Sequence, residues 1–196
     1  MRLLWRIALA STVLALSANP ASADNWPTKP VRMVVPFPPG GATDAAARIY
    51  AQHLGDFLGQ SVVVENKAGA GGEIGAEFVA KSAGDGYTLL MGAVGSHAIH
   101  AAMPDKPGYD FGTAFVGVSM ATSMPMAVAV NSSKISAKNV QELIALAKSK
   151  FGTITFGSAG PGTSQHMAGE LFQAVTGTRL MHVPYRGSGP AITDLL

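Results

Sequence analysis

The 196-residue sequence contains no cysteine, which excludes a disulfide framework, a thiolate-ligated zinc site and a thiol nucleophile. Charged residues are scarce at 13% and aromatics at 7%, against 47% apolar. That is too apolar for a disordered chain, and no unbroken apolar run is long enough for a polytopic membrane protein. Net charge is also small, with 14 Lys+Arg against 12 Asp+Glu. Arg2 and Arg6 lie in an acid-free leader, so residues 24–196 carry 12 basic and 12 acidic groups. A neutral body removes the electrostatic case for nucleic acid or an anionic membrane as partner. No GxxxxGK[ST] run occurs, so a P-loop is excluded.

What is present begins with a basic start, Met1 to Arg6, and an apolar run from Ile7 to Leu16. Ala21-Ser22-Ala23 then forms a small-x-small cleavage pattern before Asp24. A transmembrane anchor needs about 20 apolar residues, so this layout predicts a cleaved secretory signal over residues 1–23. The exported part starts at Asp24; in a bacterium with two membranes it resides in the periplasm.

Short β-branched runs at Val31–Pro36, Ser61–Glu65 and Tyr87–Met91 read as buried strands. Between them lie helical patterns, one capped by Thr43 or Asp44 with Ala46, Ile49, Tyr50, His53 and Phe57 on its apolar face, the other over Ile74–Ser82. Ala98–Gly112, broken by Pro104 and Pro107, predicts a loop with one helical turn. Phe115–Ala121 and Met126–Asn131 predict two more strands. A second series follows: helix 136–150, strand 153–157, helix 163–175, strand 179–184 and a helix from Gly189. Strands alternating with helices at this spacing indicate βαβ units and parallel sheets. The last helix has neither a terminal glycine nor a basic last turn, which predicts a chain cut short at its C-terminus.

Two strand-to-helix turns carry the candidate chemistry. Pro38-Pro39-Gly40-Gly41-Ala42-Thr43-Asp44 and Gly157-Ser158-Ala159-Gly160-Pro161-Gly162-Thr163-Ser164 each expose backbone N–H groups at a helix N-terminus, which suits a carboxylate or phosphate. Each alone also reads as an ordinary capped turn. Together, at equivalent places in two series, they suggest one ligand held between facing helix ends, outside the carboxyl ends of parallel strands. Tyr185-Arg186-Gly187 closes a strand at the same sheet end; Arg186 is either an anion partner or a surface cation.

Other motifs are weaker. Gly69-Ala70-Gly71-Gly72-Glu73-Ile74-Gly75 is GxGxxxG, with no acid at the end of the next strand to hold a ribose, so close helix-to-strand packing is the better reading. Ser158 with His166 or His182 resembles a nucleophile pair, but Phe156 replaces the first glycine of a nucleophile elbow. His97 and His100 have the spacing of metal ligands without a third donor nearby, and read as solvated loop residues.

Five ordered segments resemble the substrate-binding proteins of the tripartite tricarboxylate transporter family, the TctC or Bug proteins. They are 26–44, 65–72, 85–90, 157–164 and 182–189. Lys67-Ala68 departs from the family's common Arg-Pro, and the stretch after Tyr109-Asp110 lacks the usual acid and proline. The resemblance implies an α/β, two-lobed periplasmic binding protein type II-like fold, incomplete at the C-terminus. Lobe one is expected over 24–120, a hinge crossover over 121–126 and lobe two over 127–196. It implies a monomeric, cofactor-free, non-enzymatic receptor that closes on a small carboxylate and delivers it to a membrane permease. Carried over, the ligand contacts are Pro39, Gly40, Gly41, Thr43 and Asp44 from lobe one. Ser158, Ala159, Gly160, Gly162, Thr163 and His166 come from lobe two, with Ser96 and Tyr185 at the rim. A sensor or partner-binding module of the same fold, a hydrolase or dinucleotide enzyme, and a gene product without function remain as alternatives.

Overall fold

A computed structural model describes residues 25–93, 95–103 and 108–196; the expected signal at 1–23 lies outside them. The first half is built on β1 (Val31–Val35), β2 (Val62–Asn66) and β3 (Thr88–Leu90). All pair in parallel, in the order β2-β1-β3. β1 is a run of valines because it is central: Val31, Val34 and Val35 are wholly buried. Helices α1 (Ala42–Leu58) and α2 (Glu73–Ala80) supply the crossovers. In this order the chain leaves β1 toward one side and returns to the other, which opens a crevice beyond the carboxyl ends of β1 and β3.

The apolar core joins Met33, Val35, Ala47 and Met91, with Leu54, Val62, Val64 and Leu89 against it. The face that α1 buries is not the one its larger residues predict. Asp44, Ala47 and Ala51 face the sheet, while Ile49 and Tyr50 are exposed and Phe57 is 86% exposed. Both faces carry apolar residues, and the alanine stripe wins because it lets the helix axis approach the sheet. α2 makes a similar approach through Gly75, where a Cβ would lie 2.7 Å from the Lys67 carbonyl oxygen and 2.8 Å from Pro36 Cα. The glycine-rich run before α2 therefore serves helix-to-strand packing.

The second half contains α3 (Val140–Ser149), β4 (Thr155–Ser158), α4 (Ser164–Thr176), β5 (Met181–Pro184) and α5 (Ser188–Leu195). β4 and β5 pair in parallel. α3 starts four residues later than its pattern suggests, because Asn139 caps it by accepting the Glu142 N–H at 2.9 Å. α4 packs on β4 at Gly169, against the Phe156 ring.

The strands expected at 115–121 and 126–131 are not formed; 115–131 carries no regular secondary structure. A strand needs a neighbour for its N–H and C=O groups, and neither sheet offers one there among the described residues. Val116 is 93% and Val118 85% exposed. The expected loop near Ala98 contains a π-helical turn, Gly95–Ile99. The crossing segment is fastened to the first half by Tyr50, whose hydroxyl donates to the Ala121 carbonyl.

Candidate functional site

The turn after β1 is shaped by Asp44. Neither Thr43 nor Asp44 is the N-cap of α1, as the sequence suggested; Gly41 is, with no side-chain cap bond. Asp44 sits in the first turn, 4% exposed, and its Oδ2 accepts from the Gly40 N–H and from Arg48 Nε, both at 3.0 Å. Its Oδ1 accepts from Arg48 Nη2 at 3.0 Å and Asn66 Nδ2 at 2.9 Å. Asn66 Nδ2 also reaches the Phe37 carbonyl at 2.9 Å, fixing the turn from below. Burial alone would raise the Asp44 pKa; Arg48, the Gly40 amide and Asn66 outweigh it and bring the carboxyl to about 2. Asp44 is thus a saturated structural anion, and the Gly40 N–H belongs to it. Among the described residues, the N–H groups of Gly41, Ala42 and Thr43 find no acceptor, as expected for the first turn of a helix.

The turn after β4 is held from within. Ser158 Oγ accepts the Gly160 N–H at 3.1 Å and lies 2.6 Å from His182 Nε2. Thr163 caps α4 and donates from Oγ1 to the Gly160 carbonyl at 2.7 Å. His166 Nδ1 accepts the Gly162 N–H at 3.2 Å. Ser158, Ala159 and Thr163 are buried. The amides of Gly160 and Gly162 are therefore engaged by the protein itself, leaving those of Ser164 and Gln165 as open donors of this turn. The Ser158–His182 pair lacks what a nucleophile needs: its Oγ is buried and already partnered, and no carboxylate hydrogen-bonds His182 among the described residues.

The two halves meet at these turns, each against a different element. A Cβ on Gly71 would meet the Pro161 carbonyl oxygen at 2.5 Å, and one on Gly95 would meet Thr163 Cα at 2.9 Å. At the other end Gly187 lies against Pro38, and Gly41 lies against the Ser188 side chain. The turn after β1 thus faces the N-terminus of α5 directly, and the turn after β4 lies beside Gly71, Gly95 and His100. An open cleft of about 800 Å³ lies between the turn after β1 and α5, lined by Pro39, Gly40, Tyr185, Gly189, Pro190, Ile192, Thr193 and Asp194; no residue of the turn after β4 lines it. A smaller space of about 360 Å³ beside α3 contains none of the site residues.

Tyr185 belongs to the cleft wall, with its ring against Gly157 and its hydroxyl bonded to Asp194. Ser96 belongs to the Gly95–Ile99 turn, its side chain lying outside the described residues. His97 and His100 are not solvated. His97 donates from Nδ1 to the Ala93 carbonyl at 2.9 Å and stacks edge-on with Phe111. His100 is 7% exposed against Gly71 and Gly162, with an unpartnered Nδ1. The loop that carries them folds under the second turn and desolvates them. No group of three metal-ligating side chains exists among the described residues. The open amides of Ser188 and Gly189 were missed by sequence reasoning; the signal was Gly187-Ser188-Gly189-Pro190 following a strand, a third helix start of the same type.

This arrangement is the fold of the periplasmic binding proteins. MatC from Rhodopseudomonas palustris, solved with bound malate, matches with a TM-score of 0.81 and 32% identity, over 87% of this chain and 57% of that one. A structure described as a periplasmic transporter matches with a TM-score of 0.77 and 40% identity over the same shares. Residues 46–196 match the model of the tripartite tricarboxylate transporter family receptor, TctC, and the chain belongs to that family. Protein BugT of Bordetella pertussis is 44% identical over 180 residues, 91% of this chain and 55% of BugT. The chain therefore spans about half the length of the relatives it matches. Among the described residues, no helix is long and apolar enough to cross a membrane.

Proposed function

We propose that this chain carries the solute-capturing cleft of a periplasmic receptor that binds a small carboxylate and presents it to a membrane permease. The observation that carries this reading is the pairing of open helix ends. The N-terminus of α1, with the unpartnered N–H groups of Gly41, Ala42 and Thr43, lies against the N-terminus of α5 at Ser188 and Gly189, next to the cleft walled by Pro39, Gly40, Tyr185 and α5. Converging N-termini offer fixed positive potential without a net charge, which matches the neutral body. Pro39, Gly40 and Tyr185 shape the wall, whereas Asp44, Ser158, Gly160, Thr163 and His166 hold the turns in place.

On this reading residues 24–120 and 127–196 are the lobes, 121–126 is the pivot, and the solute favours the closed form by touching both sides. The protein works as a monomer, without a cofactor, after removal of residues 1–23. Calorimetric titration with malate, the ligand of MatC, tests it. Binding at micromolar to millimolar strength is expected. Gly41→Val and Gly189→Val, which intrude on the two facing ends, should each weaken it about tenfold or more. Wild-type affinity in both variants would refute the site.

A further inference from the structure

The cleft between the turn after β1 and α5 has two ends of opposite hydrogen-bonding character. One end is formed by the helix starts. Gly40 and Gly189 belong to its wall, and the N–H groups of Gly41, Ser188 and Gly189 beside them find no acceptor among the described residues. The other end lies further along α5, where the wall is Tyr185, Thr193 and Asp194. The hydrogens of these side chains are already spent. Tyr185 gives its hydroxyl hydrogen to Asp194 Oδ2, and Thr193 gives its own to the Gly189 carbonyl at 3.2 Å. The Asp194 carboxylate has none to give. One end therefore only donates, and the other only accepts.

The charges divide in the same way. Among the residues of the wall, Asp194 is the one with a full charge at neutral pH. The carboxylate of Asp44 is balanced by Arg48, but Asp194 receives a single bond from a neutral phenol. No cation pairs with it among the described residues. Arg186, beside Tyr185 in the chain, is exposed and stands outside the wall. Asp194 also sits in the last turn of α5, where the negative end of the helix adds to its field. Between the two ends the wall is apolar, with Pro39, Pro190 and Ile192.

We propose that the acceptor end of the cleft receives an ammonium group, so that the solute is an ω-amino carboxylate, and that Asp194 selects it over a dicarboxylate. This rests on the carboxylate-receptor reading, which supplies the opposite end. An ammonium offers three N–H donors and a positive charge where the wall offers lone pairs and a negative one. A second carboxylate in that place meets repulsion and no donor. A methyl group leaves Asp194 uncompensated. The length of the solute follows from α5: Gly189 and Asp194 lie about 7.5 Å apart along its axis. Less the reach of one hydrogen bond, the charged groups of the solute stand roughly 5 Å apart. A chain of three methylenes spans this, as in 4-aminobutyrate.

The test is calorimetry of the full chain at neutral pH with 4-aminobutyrate, butyrate, glutarate and malate. Butyrate lacks the terminal group, and glutarate replaces the ammonium by a carboxylate at nearly the same length. 4-Aminobutyrate should bind about fivefold tighter than butyrate, and glutarate more weakly than butyrate. Asp194→Asn keeps an acceptor for Tyr185 and removes the charge. It should bring 4-aminobutyrate and butyrate within about twofold of each other and strengthen glutarate, with folding confirmed by circular dichroism. The wild-type ranking stands without any variant. If 4-aminobutyrate is no tighter than butyrate, or glutarate is tighter than both, the proposal is overturned while the carboxylate reading stands. A preference for the amine that persists in Asp194→Asn overturns it as well. If none of the four ligands binds, the carboxylate reading itself falls and the proposal falls with it.

Discussion

The carboxylate of Asp44 takes the amide hydrogen of Gly40 at 3.0 Å, and by doing so closes the turn after β1 into a fixed frame. An acid beside open helix-end amides would ordinarily repel an anion. Here both of its oxygens are consumed by Gly40, Arg48 and Asn66, and Arg48 balances its charge.

Asp44→Asn should therefore destabilise the fold by about 2 kcal/mol, mainly through loss of the Arg48 pair, which is half exposed on the arginine side. The same group sets an acid limit. Its folded pKa of about 2 lies below the ordinary carboxylate value, so its stabilisation is complete above about pH 4 and fades toward about pH 2. Urea unfolding of wild type and variant at neutral pH and at about pH 3 checks both statements. The difference between them should shrink in acid.

Ser158→Ala should cost about 1–3 kcal/mol, since it strands the Gly160 N–H and His182 Nε2 in a buried place. Thermal melts read the loss. Wild-type Ser158 should also resist acylation by an activated ester, its oxygen being enclosed and partnered, so a stoichiometric acyl adduct would contradict this description.

Gly162→Ala combines two penalties. The backbone there has φ +71, and a methyl group would run into the His100 ring. A loss of about 2–4 kcal/mol is expected from the strain and the collision together. Gly84→Ala, in open space at ordinary φ, serves as the control and should stay within about 0.5 kcal/mol of wild type in the same chemical denaturation.

The segment 116–130, without regular secondary structure, predicts how the chain behaves at high concentration. Val116, Val118, Met120, Met126 and Val128 are all mostly exposed, and exposed apolar side chains concentrated in one segment favour self-association. Val118→Thr with Met120→Thr should leave stability within about 0.5 kcal/mol while reducing association in light scattering. A large drop in stability would mean that these side chains are covered in solution.

Much of the fold could be read from sequence because its signals are local. The valine run of β1, the glycine-rich turns and the spacing of Val140, Leu143, Ile144 and Ala147 each act within a few residues, whereas the Asn139 cap that delays the start of α3 was missed. The crossing strands misled because a strand is defined by its neighbour, and Phe115–Asn131 has the composition of one without a partner beside it. The face of α1 misled because Ile49 and Phe57 outweigh Ala47 and Ala51 in hydropathy, whereas close approach favours the smaller pair. The two strand-to-helix turns were legible as turns, and Tyr185 as the residue closing a strand. The internal use of the Gly40, Gly160 and Gly162 amides was not, since each depends on where Asp44, Ser158 and His166 point. His100 was misplaced for the same reason: only the folded loop shows that it lies under Gly162.

The bond from the Tyr50 hydroxyl to the Ala121 carbonyl has a mechanical meaning. Tyr50 stands midway along the helix whose first turn carries the open amides of Gly41, Ala42 and Thr43, and Ala121 rests on the core beneath it. The chain leaving the first half is thereby riveted to the shaft of that helix rather than left slack. On the proposed reading of 121–126 as a pivot, this bond ties the near end of the pivot to the helix that carries those amides.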